Sequence, residues 1–460
     1  MEIKKNFPIK IGLEIHGYLN TKEKLFCKCK NNSEMNIKPN LNVCPICTGQ
    51  PGSKPMLPNK EAMKKLILIS LALNCKINTR LVWQRKHYSW PDLPKGFQNT
   101  ISGAYSIPCA EKGKFKEIKI TETHLEEDPA RWNPLTGGID YNRSGLPLIE
   151  IVTEPDFHSA DQVSAWLKNL IHALSYMKAI KKGAGIKVDV NVSTYGERVE
   201  IKNLNSIENI KNAIEYEIQR QIENHENGLE QDRETLTYDE NKGKTIKMRD
   251  KEQAQDYRFI PEPDLPRINL EEKEIKEIGK NLPEMPEEKL TKLLNKYKID
   301  KYNADVLTKN LELVDFFEAL EKLVDAKKYI SWITVELLRI LNYNKKTLED
   351  SDIDIKPEHL AELIQAIDAG NLTELKAKQI MNEFIPKSFS IKEKKDISKI
   401  SSVEIEKICR EVINKNQRAV EDFKFGKQES LNFLVGQVMN LSNRRADFKT
   451  AKNYLEKILV

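Results

Sequence analysis

The sequence predicts an α+β protein, with a mixed α/β domain over residues 1–290, an all-helical domain over 291–398 and a small helical tail domain over 399–460. Three observations predict it. Before residue 290, several segments alternate apolar and polar residues, the period of a half-buried strand. After the proline-rich stretches 261–266 (PEPDLP) and 283–286 (PEMP), the pattern turns helical with few strand signals. The lysine-rich, weakly patterned segment 385–400 then reads as a linker to a last helical unit.

The elements follow in order. Ile9, Ile11, Leu13 and Ile15 alternate with Lys10, Gly12, Glu14 and His16, giving a first strand. Segments 116–125, 146–153 and 186–193 read as further strands. Between them, Val163, Trp166, Leu167, Leu170, Ile171, Leu174 and Met177 recur at three and four residues and predict a helix over 160–178. A second helix follows Ser206, an N-cap residue, with Glu208 in its first turn and an isoleucine stripe at 210, 214, 218 and 222. In the tail, Leu431, Leu434, Val435, Val438 and Met439 predict a helix over 429–441. No internal repeat is present.

Composition bounds the function. At about 150 residues per domain, 460 residues make roughly three domains. A hydrophobic fraction of 39% supports sizeable cores. No apolar run approaches the ~18 residues of a membrane span, and the N-terminus lacks the apolar core of a secretory leader. A cytoplasmic protein without membrane association is expected. Seven cysteines are too sparse for a disulfide scaffold. The net charge of +5 permits a polyanionic partner without arguing for one.

Four cysteines nevertheless cluster. Cys27 and Cys29 form a C-x-C pair, and Cys44 and Cys47 form a C-x-x-C pair. Two close pairs joined by a loop can bring four thiolates to the corners of a tetrahedron, as a structural zinc site requires. Pro45 stiffens the second knuckle, and Gly49 and Gly52 let the backbone turn nearby. An iron–sulfur cluster would use the same ligands, and ordinary buried thiols are the third reading. Cys75, Cys109 and Cys409 are isolated and read as small hydrophobes.

Polar residues also interrupt strands that otherwise read as core. Glu14 and His16 share one face of the first strand, His124, Glu126, Glu127 and Asp128 end another, and Glu150 breaks the apolar run LPLIEIV. An ionised carboxylate on a buried strand is expensive unless it meets a cation or several donors. Carboxylates and imidazole converging from three strands could hold magnesium. The alternative is that Glu14 and Glu150 face solvent or pair with lysine or arginine on neighbouring strands. Glycine-containing turns at 133–138, 142–147 and 181–185 match neither a Walker A loop nor a dinucleotide fingerprint. Arg143 and Lys182 in these turns either face phosphates or are solvated surface.

The blocks IGLEIH (11–16), KLFCKC (24–29), CPICTGQPGSKP (44–55), PDLPKGFQ (91–98), HLEEDPAR (124–131), NRSGLPLIEIVTEPD (142–156), EIKNLNS (200–206), DYRFIPEPDLP (256–266) and NFLVGQVM (432–439) run from end to end. Together they closely resemble the B-subunit family of the tRNA-dependent amidotransferases. The resemblance implies a cradle domain of sheet and helix, a helical domain and a tail domain. It implies a ligase that uses ATP to phosphorylate the side-chain carboxylate of Glu-tRNA(Gln) and, in many organisms, Asp-tRNA(Asn). Ammonia from the amidase partner, which with a small connecting partner completes a heterotrimer, then displaces phosphate. This chain carries no G-x-S-x-G elbow, so the glutaminase belongs to a partner. By position in the family's motifs, Glu14, His16, Glu127 and Glu150 match magnesium ligands, with Glu126 and Asp128 in support. Cys27, Cys29, Cys44 and Cys47 match the zinc ligands of some members. Arg143 and Lys202 match phosphate or substrate contacts, and Lys424, Lys427, Arg444 and Arg445 match tRNA contacts.

The chain departs from the family's pattern at NTIS (99–102), at Lys187 in place of an arginine, at QDRET (231–235) and at NRRADF (443–448). These positions bear on substrate handling and the tRNA grip. A paralogous archaeal E-type chain shares the cradle but carries a large extra domain, which favours the B-type family here.

Overall fold

The computed structural model describes residues 8–31, 37–181, 185–249, 257–394 and 397–459. The chain divides into two compact units, Met1–Met285 and Pro286–Val460.

In chain order the first unit's strands begin with β1 (Lys10–Tyr18), β2 (Lys76–Ile77), β3 (Arg80–Leu81), β4 (Gln84–His87) and β5 (Phe97–Thr100). Next come β6 (Ala110–Phe115), β7 (Ile118–Glu127), β8 (Arg131–Trp132), β9 (Ile139–Asp140), β10 (Pro147–Thr153) and β11 (Ile186–Ser193). The last are β12 (Val199–Leu204), β13 (Glu234–Asp239), β14 (Lys244–Arg249), β15 (Arg258–Pro261) and β16 (Ile268–Asn269). Its helices are α1 (Lys60–Ala72), α2 (Ala160–Tyr176), α3 (Ile207–Glu226) and α4 (Glu272–Gly279).

Twelve strands form one sheet, in the order β14-β13-β12-β11-β1-β10-β7-β5-β4-β15, with β6 and β2 branching from β7. The first strand therefore lies inside the sheet, antiparallel to both β10 and β11. The alternation read from the sequence is what the position demands. Ile11, Leu13 and Ile15 are buried in the core, while Glu14 and His16 are turned to the other face and half-buried. Strands 116–125, 146–153 and 186–193 appear as β7, β10 and β11, and β7 extends two residues further.

Helices cover the apolar face. The expected helix over 160–178 is α2, capped by the Ser159 hydroxyl accepting from the Gln162 amide at 3.2 Å. The helix after Ser206 is α3, where the Ser206 hydroxyl accepts from the Asn209 amide at 3.1 Å. Trp166 is buried against Phe115 and Phe157 and donates its indole N–H to the Phe115 carbonyl at 3.0 Å. Leu167 is fully buried in the same core. Leu167→Ala is expected to cost about 2–5 kcal/mol, read as a lower urea midpoint for the first unit's transition.

The second unit is helical: α5 (Pro286–Asn295), α6 (Lys301–Leu307), α7 (Leu311–Glu321), α8 (Leu338–Tyr343), α9 (Pro357–Asp368), α10 (Glu374–Met381), α11 (Ser402–Lys415), α12 (Gln417–Lys424), α13 (Gln428–Leu441) and α14 (Phe448–Leu459). It holds two separate hydrophobic clusters, one drawn from residues between Leu293 and Ile391 and one between Ile405 and Leu459. The predicted helix over 429–441 is α13, with its apolar side buried.

The segment 385–400 differs from the linker expected. Ile391 is buried, Phe389 packs edge-on against Phe384, and the Ser390 hydroxyl and Ile391 amide both donate to Glu362. Two apolar anchors and a hydrogen-bonded carboxylate fix it, although lysines dominate its composition. Residues 395 and 396 lie outside the described residues. Among the described residues, no helix is long and apolar enough to cross a membrane.

Candidate active site

The polar face of the sheet is assembled by register. His124 on β7 lies opposite Glu150 on β10, which lies opposite His16 on β1, which lies opposite Lys187 on β11. One row thus alternates imidazole, carboxylate, imidazole and ammonium across four strands. The next position on β1 sets Glu14 opposite Asp189. Period-two alternation makes this a single surface, because residues two apart on each strand share a face.

Within it, one oxygen of Glu150 lies 3.2 Å from His16 Nε2 and 3.1 Å from His124 Nε2. His124 Nδ1 is 3.0 Å from Glu122, and its Nε2 is 3.6 Å from Glu126. Burial opposes charge on Glu150, but the two imidazoles prevail and hold its carboxyl well below the usual range. Burial likewise opposes charge on His16, and Glu150 raises it to about 9. Glu14 behaves differently. Burial, with Glu150 and Glu200 nearby, pushes its carboxyl upward.

Two sets of ligand atoms come within 4.8 Å of one another: His16 with Glu126 and Glu150, and Glu14 with Asp189 and Glu200. Oxygen donors crowded with one imidazole suit a hard divalent cation. Asn191 donates to Glu14 at 3.1 Å, while its own side-chain oxygen is buried with no hydrogen-bond partner among the described residues. An orphaned acceptor beside like-charged carboxylates fits a site completed by a cation.

The expected residues are not all brought together. Glu127 faces the other side of the sheet from Glu126, where it takes the Lys95 ammonium and the Asn99 amide. Strand alternation explains this, since 124 and 126 share a face and 127 cannot. Lys202 lies between Asp189 at 3.1 Å and Glu200 at 2.5 Å, and these carboxylates raise its pKa against burial. Arg143 is held in a fork by Asp128 at 2.7 and 3.1 Å and meets the Tyr18 hydroxyl. Asp128 also accepts from Tyr18 at 2.9 Å. Lys182 lies outside the described residues.

Sequence reasoning missed Asp189, Glu200 and Lys86. Asp189 stands among buried Val188 and Val190 in β11, the same signal that marked Glu14. Lys86 gave no such signal, because its strand has only four residues. Its ammonium lies 4.7 Å above the Tyr257 ring, and the charges of Glu126 and Glu150 raise its pKa against burial.

The four clustered cysteines also converge, with all four Sγ atoms within 4.8 Å of one another. Tetrahedral zinc with Zn–S bonds of ~2.3 Å puts sulfurs about 3.8 Å apart, so the set fits that ion. Lys24 is buried beside it, 3.5 Å from Cys47 Sγ and 3.2 Å from the Tyr141 carbonyl. The Cys47 thiol is pulled down to about 4 by the hydrogen bond from Cys27 and then the Lys24 ammonium, against burial. Cys27 moves upward in exchange. Four protein sulfurs leave no open position, so such a centre would be structural.

In the tail, Lys424, Lys427 and Arg444 are exposed and Arg445 is half-buried. Lys427 pairs with Asp422 at 2.8 Å. Arg444 follows α13 with φ of 60°, a left-handed turn that ends the helix.

The chain matches known proteins over most of its length. Residues 9–276 match the family model described as the GatB/GatE catalytic domain, and residues 315–459 match the one described as the GatB domain. The chain is 40% identical to the B subunit of the aspartyl/glutamyl-tRNA(Asn/Gln) amidotransferase of Methanocaldococcus jannaschii, over 98% of each chain. It is similarly 40% identical to the corresponding chain of Methanopyrus kandleri, over 98% of each. That of Methanococcus maripaludis strain C5 is 39% identical, covering 98% of this chain and 99% of its own.

Proposed function

The chain belongs to the B-subunit family of the tRNA-dependent amidotransferases, and from that premise we propose that the polar face of its sheet is where the carboxylate is activated. The family's reaction is that of a ligase. With ATP, and with ammonia from an amidase partner, it converts Glu-tRNA(Gln) and Asp-tRNA(Asn) into Gln-tRNA(Gln) and Asn-tRNA(Asn).

The chemistry needs two steps. A carboxylate oxygen takes the γ-phosphoryl group of ATP, giving an acyl phosphate and ADP. Ammonia then attacks the acyl carbon, phosphate leaves with the C–O bond electrons, and the new amide loses a proton. Little covalent work falls to the protein, so positioning and charge neutralisation carry the catalysis.

The observation that carries this reading is the row His124–Glu150–His16, flanked by Glu126, Glu14, Asp189 and Glu200 on one face of the sheet. In our reading His16 and Glu150 hold magnesium, with Glu126 supplying the carboxylate that Glu127 was expected to give, and Glu14 holds a cation in the neighbouring set with Asp189 and Glu200. When bound, magnesium neutralises the phosphates of ATP and aligns them for attack. His124 orients Glu150, and Lys86 and Lys202 offer ammoniums on the same face to phosphate oxygens. Arg143, fixed by Asp128 and Tyr18, sits at the rim of the face as a phosphate or substrate contact. The four cysteines hold zinc, which ties the knuckle to the loop carrying Arg143.

The domains divide accordingly: 1–290 as the cradle with its ATP and zinc sites, 291–398 as the helical domain, and 399–460 as the tail. In the tail, Lys424, Lys427, Arg444 and Arg445 contact tRNA phosphates. The chain works as a heterotrimer with the amidase partner and the small connecting partner.

The test mixes the full chain with its cognate amidase complex, magnesium, glutamine and Glu-tRNA(Gln), with and without ATP. Conversion to Gln-tRNA(Gln) only with ATP is expected. Binding of charged tRNA with no ATP consumption would make the chain a docking protein and send the activating step elsewhere.

A further inference from the structure

Lys24 has no part in the proposed reaction, yet it is only 1% exposed in the core of the first unit. A lysine ordinarily extends its stem until the ammonium reaches water, and one is rarely buried whole unless it is paired. Here Leu25 and Phe26 beside it are buried as well, and the Lys24 amide donates to the Cys29 carbonyl at 2.9 Å. The side chain is rooted in the loop of Cys27 and Cys29 and crosses to the other cysteine pair. Its ammonium ends 3.5 Å from Cys47 Sγ and 3.2 Å from the Tyr141 carbonyl.

Both ends of that bridge are fixed. The Cys47 sulfur also takes the Cys44 amide at 3.2 Å. The Tyr141 carbonyl also accepts from the Ser144 amide at 3.1 Å, closing the turn that presents Arg143. Lys24 therefore cannot swing towards water without breaking contacts on two sides.

No carboxylate pairs with this ammonium among the described residues. An ammonium has donors and no acceptor, and a neutral thiol is a weak acceptor. A carbonyl supplies only a dipole, and burying a charge without an anion is expensive. Ordinary buried thiols thus give the lysine no reason to be there. Four thiolates on a divalent ion do, because they carry more negative charge than the ion neutralises. Donors behind a metal-bound atom orient it and tune the metal. We propose that Lys24 is the charge partner of a four-thiolate zinc centre, holding the Cys47 thiolate by an N–H···S hydrogen bond. It is a positioning residue, since it acts on the ion through Cys47. The inference rests on the zinc reading above.

The test strips the full chain with chelator under reducing conditions and reloads it with zinc or cobalt. Lys24→Met keeps the length of the stem and removes its charge. Competition with a chromophoric chelator should show zinc bound roughly tenfold more weakly by the variant. With cobalt, the sulfur-to-metal charge-transfer band should move to longer wavelength, because a sulfur that loses a hydrogen bond gives up its electrons more easily. Stripped of metal, the variant should melt above the parent, since an uncompensated buried charge is gone. Zinc should then raise its melting temperature by less than it raises the parent's. Lys24→Met should likewise raise the melting temperature when added to Cys44→Ser with Cys47→Ser. A side chain that only fills space would lower the melting temperature in every one of these backgrounds.

Unchanged zinc affinity overturns the proposal, as does an unshifted cobalt band. So does a variant that melts below the parent equally with and without metal, or one that folds in neither state, because charge would then not be what the position requires. Zinc bound equally by parent and variant leaves the zinc reading standing while the role of Lys24 falls. A parent that binds no zinc removes both.

Discussion

Glu150→Gln is expected to abolish ATP-dependent conversion of Glu-tRNA(Gln) while leaving the fold and tRNA binding intact. The side chain keeps its shape and loses only its charge. That charge is the hub of the polar face, since one carboxylate oxygen lies within 3.2 Å of both His16 and His124. Losing a group that stabilises transition-state charge costs about 10²–10³ in rate, and a lost cation adds to that. The fold should survive because no unpaired buried charge remains. Without Glu150 the main cause raising His16 is gone and it can become neutral, while Glu122 and Glu126 remain beside His124 as its charge partners. Circular dichroism and a tRNA binding isotherm check the fold, and acyl-phosphate formation checks the chemistry. Full phosphorylation by the variant would sink the magnesium assignment.

The same residue pair predicts a pH dependence. His16 is held protonated up to about 9 by Glu150, against burial. A ligating imidazole must be neutral, so cation binding there releases a proton. Magnesium affinity of the parent should therefore rise as pH climbs towards about 9, where the proton is lost without the cation's help. In Glu150→Gln any residual rise should move to lower pH. Calorimetric titration at several pH values in two buffers of different ionisation enthalpy measures both. Affinity independent of pH would remove His16 from the ligand set.

Much of the fold was legible because its signals are local. The alternation of Ile11, Leu13 and Ile15 with Glu14 and His16 marks a strand with two different faces, and β1 has them. Ser159 and Ser206 were legible as helix starts because N-capping is a short-range hydrogen bond. Strand order was not legible, because pairing β1 with β10 and β11 joins residues more than a hundred positions apart, and no pattern in one strand names its neighbour. The site shows the same division. Glu14, His16 and Glu150 stood out as polar residues on apolar strands. Asp189 carried that signal and was passed over, whereas Lys86 and Glu200 acquire meaning only from the register. Glu127 shows the opposite case. Position in a family motif pointed to it, but alternation along β7 turns Glu126 towards His16 and Glu127 towards Lys95. The lysines of 385–400 misled in another way, because two apolar side chains and Glu362 outweigh the composition of a whole segment.

Replacing Cys44 and Cys47 together with serine should release one equivalent of zinc and lower the thermal stability of the first unit. Binding at such centres is folding free energy, since the unfolded chain has no preformed site. Two cysteines and a buried ammonium then face each other without an ion to compensate them. The effect should reach beyond the knuckle. The Ser144 hydroxyl donates to the Cys47 carbonyl at 2.7 Å, and the Leu25 amide donates to the Gly145 carbonyl at 2.8 Å. Ser144 follows Arg143 directly, so loosening Cys47 should free the turn that aims this guanidinium at Asp128. A variant that still folds at low temperature is therefore expected to show a raised KM for its substrates along with its lower melting point. Metal analysis of the purified chain, with cobalt substitution to report thiolate ligation, separates the two effects. Unchanged metal content in the double variant would dismiss the zinc site. Lost metal with unchanged kinetics would confine the knuckle to stability and cut its link to Arg143.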